Sequence, residues 1–189
     1  MLTFIPSFLV LAASLSAPAG FDEGLAAYKN REYATALAEL RPAAEAGDPR
    51  AQHMLGFLYA QGRGVEKDIA KTLELWRLSA SQGHPPAQFT LGSLYRKGMG
   101  VKEDKKKAAE LIGRAADAGY ADAQYLYAIM LAQGEGIGRD LAAAYMWLDM
   151  AAAQTGLEAG AYWAAIDSFL SPAERREAER QRKRWGDKP

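Results

Sequence analysis

The side chains best suited to catalysis or metal binding are scarce in this 189-residue chain, which holds two histidines, His53 and His84, and no cysteine. Without thiols there is no disulfide, thiolate nucleophile or cysteine zinc site, and the composition suits either side of an inner membrane. The histidines form no His-x-x-x-His pair, and no Asp-rich calcium loop occurs. His53 lies beside Gln52 on a helical stretch, while His84 holds a junction position that sister segments fill with Asp48 and Tyr120. That variability marks a surface cap position rather than a ligand. No Gly-x-Ser-x-Gly elbow is present to strain a serine into a nucleophile. Gly-x-Gly turns at Gly62, Gly98 and Gly134 resemble phosphate-cradling loops, but they recur between helices and follow no strand. Asp22-Glu23 and Glu103-Asp104 fall at expected surface turns, where solvation is the default. The residues support no catalytic constellation, and neither a metal nor a cofactor is expected.

Charge points the same way. Lys+Arg and Asp+Glu both number 23, so the formal net charge is zero, unlike the strongly positive field of a protein that tracks a phosphate backbone. The most basic stretch, Arg175, Arg176, Arg180, Arg182, Lys183 and Arg184, is diluted by Glu174, Glu177 and Glu179. It reads as a solvated terminal helix rather than a nucleic-acid or lipid patch. No nucleic acid partner is expected.

The elements that position these residues follow from an internal period. Gly47, Gly83 and Gly119 stand 36 residues apart, as do Gly62, Gly98 and Gly134, and Gly64, Gly100 and Gly136. Asp68, Asp104 and Asp140 keep the spacing, with Ala51, Ala87 and Ala123, and Ala80, Ala116 and Ala152. The next junction glycine, Gly156, arrives one residue late. Within a unit, Ala51, Met54, Leu55, Leu58 and Tyr59 fall at helical spacing, and Gly62 ends that helix in the left-handed conformation. Asp68 caps a second helix carrying Leu73, Trp76 and Ala80 on one face, and Gly83 stops it. Pro49 and Pro85 suit the first position of a helix. Small residues at Gly56, Gly92 and Ala128 allow the paired helices to approach closely. Each unit is therefore an antiparallel helix hairpin.

These residues resemble a known repeat. The run Gly47-Asp-Pro-x-Ala51-Gln, Leu55-Gly56-x-Leu58-Tyr59, Gly62-x-Gly64-Val65-x-x-Asp68, Trp76, Ala80, Gly83 is similar to the Sel-one-like repeat, a relative of the tetratricopeptide repeat. A second unit matches through Ala87-Gln88, Leu91-Gly92-x-Leu94-Tyr95 and Gly98-x-Gly100-Val101-x-x-Asp104. A third matches through Ala123-Gln124, Gly134-x-Gly136-Ile137-x-x-Asp140 and Trp147-Leu148, and departs at Tyr127, Ala128 and Leu131. Upstream, Tyr28, Tyr33, Ala36, Leu37 and Leu40 resemble a tetratricopeptide hairpin. The resemblance implies an all-α fold: an α-α superhelix, a right-handed solenoid of antiparallel hairpins, closed by a C-terminal capping helix. One domain is expected over residues 20–189, with a first hairpin at 21–46, units at 47–82, 83–118 and 119–155, and a cap at 156–189. In the cap, Glu158 to Leu170 reads as a helix. Ser171-Pro172-Ala173-Glu174 then reads as a capping box opening a second one, with Glu179 and Lys183 placed for an ion pair.

Function is read from this architecture. In such solenoids the first helices line the concave side, where partner proteins or peptides lie. Gln52, Gln88 and Gln124, with Phe57, Phe89, Tyr125, Ile129 and Arg96, form the candidate partner-contacting face, since aromatics and arginine are favoured in binding hot spots. The competing reading is that the aromatics broaden the core between units and that the glutamines are common to the repeat. A monomeric interaction scaffold is expected. Some relatives imply an alternative, a hydrolase of the cell envelope, and a permanent subunit of a larger assembly is a third reading. Residues 1–20 carry no charged side chain; an apolar run from Phe8 to Leu15 precedes Ser16, Ala17, Pro18 and Ala19. This is the layout of an export signal at 1–19, cleaved after Ala19 or, second, after Ser16. Its n-region has no Lys or Arg, and the other reading is an uncleaved anchor, for which the run is short against roughly 30 Å of hydrocarbon. No cysteine follows to take a lipid. A periplasmic or secreted location is expected.

Overall fold

The computed structural model describes residues 20–156, Ala164, Ile166, Ser168 and residues 170–186. The expected export signal lies outside them, as does most of the helix expected over 158–170, of which Ala164, Ile166 and Ser168 are helical. Among the described residues all regular structure is helical. It comprises α1 (Phe21–Lys29), α2 (Tyr33–Glu45), α3 (Pro49–Gln61), α4 (Ile69–Ser81), α5 (Pro85–Lys97), α6 (Lys105–Asp117), α7 (Ala121–Gln133), α8 (Leu141–Thr155) and α9 (Pro172–Gly186). Each helix packs chiefly on its neighbours in the chain, so the hairpins α1–α2, α3–α4, α5–α6 and α7–α8 stack in order and α9 closes the end against α8.

Local chemistry sets the ends of these helices. Asp68, Asp104 and Asp140 each accept a hydrogen bond from the backbone N–H three residues on, all at 2.9 Å, satisfying a donor the helix leaves orphaned. Asp48 does the same for α3 through Arg50 N and Ala51 N. At the other end of α3, α5 and α7, Gly62, Gly98 and Gly134 take φ of 65°, 65° and 69°, the left-handed cap that glycine adopts without a Cβ penalty. Ser171 and Glu174 open α9 with the reciprocal bonds of a capping box, 2.7 Å and 3.3 Å. On that helix Arg180 pairs with Glu177, while Glu179 and Lys183 are both exposed.

The core is built on second helices in strict register. Leu40, Trp76, Ile112 and Leu148 are all buried, one per hairpin at a spacing of 36 residues. The period therefore runs into the first hairpin, whose α2 begins and ends 36 residues before α4. Facing these large side chains, the first helix of the first three hairpins offers no Cβ: one on Gly24 would stand 2.5 Å from Leu40, one on Gly56 2.4 Å from Trp76 and one on Gly92 2.7 Å from Ile112. The fourth hairpin uses Ala128, 1% exposed, at the equivalent place. The Trp76 indole N–H also donates to the His53 carbonyl at 3.0 Å, locking the ring across the hairpin. Leu148, not Trp147, holds the Trp76 register. Trp147 instead meets Tyr127 edge-on at 5.8 Å, and Tyr127 fits because Gly113 lies beneath it, where a Cβ would come within 3.1 Å. The third unit's departure from leucine at Tyr127 is thus matched by a glycine on the preceding second helix.

Seams between hairpins differ in closeness at the second turn glycine. A Cβ on Gly64 would lie 2.7 Å from the Tyr33 backbone and one on Gly136 2.0 Å from the Lys105 carbonyl oxygen, whereas one on Gly100 would meet only side chains, Ile69 at 3.6 Å and Leu73 at 4.0 Å. All three have φ near 70°, so alanine costs about 1–2 kcal/mol at each from backbone conformation alone. Gly136→Ala is expected to cost about 1–3 kcal/mol beyond Gly100→Ala, the usual size of an overpacking penalty. Urea unfolding of the two variants, side by side, checks this; equal midpoints would mean the two seams are equally tight.

Candidate partner-binding face

The face expected to meet a partner separates into two groups. Gln52, Gln88 and Gln124 are buried, at 5%, 5% and 0% exposure. Their side-chain amides donate to the carbonyls of Ala44, Ala80 and Ala116, each eight residues back, at 3.1, 3.3 and 3.3 Å. Those carbonyls belong to the last turn of α2, α4 and α6, where no intrahelical donor reaches them, and each also accepts from a junction glycine N–H. The Gln52 and Gln124 carbonyl oxygens accept from Gln82 and Gln154, both at 2.8 Å. The glutamine column is therefore a clamp between consecutive hairpins, with its polar atoms engaged inside. The expectation that it faces a partner is corrected: removing a buried amide from carbonyls that need it would cost the fold.

The remaining residues are half-buried along successive first helices. Phe57 meets Trp76 edge-on at 5.1 Å and His53 at 4.8 Å. Phe89 meets Tyr120, the residue before α7, at 5.4 Å. Tyr125 packs against the core around α7 and α8, and Ile129 is half-buried one turn along α7 from it. Arg96 is committed elsewhere: its guanidinium bonds the Glu135 carboxylate at 2.8 and 2.9 Å, tying α5 to the next turn.

The 36-residue columns relate residues of unlike type that aromatic character alone does not connect. His53 occupies the column of Phe89 and Tyr125, and His84 that of Tyr120. The ring pair His53–His84, 5.3 Å between centroids, is accordingly the counterpart of Phe89–Tyr120 in the next seam. His53 is 9% exposed, so the structure places it in the seam rather than at the surface. His84, the expected surface cap, is half-buried and makes no side-chain cap bond. Burial first, and the neighbouring His84 charge second, push the His53 pKa down to about 4. Burial also lowers His84, with Arg50 adding to the effect and Asp48 opposing it.

The tautomer follows from hydrogen-bond arithmetic. Thr90 Oγ1 has a single hydrogen, and it donates to the Pro86 carbonyl at 2.8 Å. At the 3.1 Å contact between His53 Nε2 and Thr90 Oγ1 the imidazole must be the donor. A histidine that gives its proton to a hydroxyl does not activate that hydroxyl as a nucleophile. Among the described residues no group of three or more His, Cys, Asp or Glu side chains is placed to hold a metal ion. What the arrangement offers is ring surface at hairpin spacing, set in a polar frame.

A family model of the Sel1 repeat matches residues 49–84, 85–120 and 121–155, more than half of the chain. The chain belongs to the Sel1 repeat family. Among solved structures it is similar to a Sel1 repeat protein from Oxalobacter formigenes, at 29% identity and a TM-score of 0.72, over 82% of this chain and 63% of that one. It is similar also to c5321, a protective antigen of uropathogenic Escherichia coli strains displaying an SLR fold. That match has 30% identity and a TM-score of 0.71, over 83% of this chain and 33% of the antigen. The chain thus spans less than two thirds of the length of either. A comparison with curated proteins finds no match. These neighbours agree with the Sel1 solenoid seen here: stacked helical hairpins, strand-free among the described residues. No helix among those residues is long and apolar enough to cross a membrane.

The buried histidine of the first Sel1 unit makes stability depend on pH. Because the folded pKa lies below the unfolded value of about 6.5, the unfolded state binds the extra proton first as pH falls. Stability is full above about pH 6.5 and is lost toward pH 4, about 2 kcal/mol of it between roughly pH 7.5 and pH 5. His53→Phe, which places in this unit the residue the next unit carries at Phe89, is expected to flatten that loss in urea titrations at the two pH values. An acid-side loss of undiminished size in His53→Phe would assign the effect to other groups.

Proposed function

We propose that this Sel1 repeat chain is an exported, non-catalytic scaffold that holds a partner protein or peptide on the concave side formed by its first helices. The observation that carries the reading is a pair of half-buried columns on the first helices: Phe89 and Tyr125, 36 residues apart on α5 and α7, and beside them Phe57 and Ile129, two repeats apart on α3 and α7. Aromatic side chains that keep part of a ring in solvent while the rest is fixed by packing lose little entropy on binding and supply large apolar area. The glutamine clamps tie each first helix to the hairpin before it, so the columns are presented preorganised. No chemistry on the substrate is needed for this role. The uncharged leader at residues 1–20 supports delivery to the periplasm or beyond.

Affinity capture from an envelope fraction tests the reading. Phe57→Leu, Phe89→Leu and Tyr125→Leu together keep apolar volume beneath the face and remove the rings above it. The expected outcome is loss of the captured partner with a melting temperature near wild type. Undiminished capture would move the binding face elsewhere, and a collapsed melt would reassign the rings to the core.

A further inference from the structure

The central residue of the repeated turn is Arg63, Met99 or Glu135, at a spacing of 36 residues. In the first and third turns this residue docks on the preceding hairpin. Arg63 donates to the Tyr28 hydroxyl at 3.0 Å and lies 5.0 Å over the Tyr33 ring; Glu135 pairs with Arg96 at 2.8 Å and Lys105 at 3.6 Å. Met99 does neither and is 57% exposed. Beside it Ile69, 44% exposed, and Leu73 are the side chains a Cβ on Gly100 would touch, at 3.6 and 4.0 Å. Among the described residues the exposed large hydrophobics are Ile69, Leu78 and Met99, so two of three gather at one seam.

One helical step from this apolar pair the seam becomes cationic. Leu73 and Arg77 follow Ile69 at four-residue intervals on α4, which places all three on one face. Lys107, on the first turn of α6, sits 4.5 Å over the Tyr95 ring. Hydrogen bonds from Lys107 first and Arg77 after it hold the Tyr95 hydroxyl below the ordinary phenol pKa. Among the described residues no carboxylate is ion-paired with Arg77 or Lys107. The surrounding unit, residues 83–118, has seven Lys and Arg against four Asp and Glu, so the local field is positive although the chain is neutral.

We propose that this open seam between α4 and the middle turn is a second docking surface, separate from the concave face, for an acidic segment of a partner protein carrying an apolar residue. The apolar residue covers Ile69 and Met99, and the carboxylates meet Arg77, Lys107 and the Tyr95 hydroxyl. Charge complementarity selects the occupant: a neutral greasy segment would leave both cations unpaired, and a basic one would be repelled. The seam is free to serve because its turn, unlike the other two, is not held down by its own central residue.

The test is fluorescence anisotropy of the purified protein with a short labelled peptide, one leucine flanked on both sides by aspartate and glutamate. Binding is expected to fall roughly tenfold or more in Ile69→Ser with Met99→Ser, and comparably in Lys107→Glu, with melting temperatures unchanged because all three side chains are exposed. The Phe57→Leu, Phe89→Leu, Tyr125→Leu variant should bind the probe like wild type, which separates this surface from the concave one. A lysine-for-acid version of the peptide should not bind. No binding by wild type, or equal binding by every variant, overturns the proposal. Vesicles rich in phosphatidylglycerol retained by wild type while the peptide is not would make the seam a lipid contact instead. A concentration-dependent mass increase removed by Met99→Ser, again without peptide binding, would make it a contact between copies of this chain.

Discussion

The hairpins depend on an exchange of volume across the helix pair: a large side chain from the second helix occupies space that the first helix leaves by carrying almost none. Trp76 over Gly56 is the extreme case, with Leu40 over Gly24 and Ile112 over Gly92 as smaller versions. Close approach follows from this pairing, since the large side chain packs where a Cβ would stand. The Trp76 indole bond to the His53 carbonyl adds direction to what packing alone leaves free. A short two-helix unit cannot hide such a surface by itself, so stacking completes the fold.

Stacking needs a polar solution as well. The last turn of α2, α4 and α6 leaves a carbonyl whose backbone donor is the junction glycine, and the following first helix supplies a second donor, the amide of Gln52, Gln88 or Gln124. The same residue type in the same column therefore satisfies the same defect three times. Where the second-helix end carries Gln82 or Gln154, the clamp gains another bond; at Ala118 it does not. Buried amides fix the register between hairpins more sharply than alanine and leucine contacts, because a slip would leave the buried amide donor unpaired.

Against this regular frame, departures mark the individual units. The seam between the second and third hairpins holds a histidine pair where the next seam holds phenylalanine and tyrosine, which gives it a sensitivity to mild acid that the next lacks. Tyr127 replaces leucine in the third unit, and Gly113 beneath it absorbs the extra volume. The turns carry a cation, a thioether and a carboxylate in turn, and their docking differs accordingly. A repeat scaffold can vary such positions independently because each is in contact with nearest neighbours only.

The repeat period, the capping aspartates, the turn glycines and the hairpin architecture were all readable in the linear sequence. They depend on spacing within some 36 residues, and each residue type has one strong local reason to be there. Membership of the core was readable too, where a column held Leu, Trp or Ala throughout. What tertiary structure decided was the sense of the polar columns. Gln52, Gln88 and Gln124 looked like a polar surface row because a helix step places them at the border of the apolar face, and only the approach of the preceding hairpin turns that border inward. Arg96 likewise looked available until Glu135, thirty-nine residues later, closed on it. His53 finds His84 and Thr90 across a seam that no local spacing describes. Local pattern sets which face a residue occupies; the neighbour that covers the face sets whether it is a clamp, a wedge or a surface.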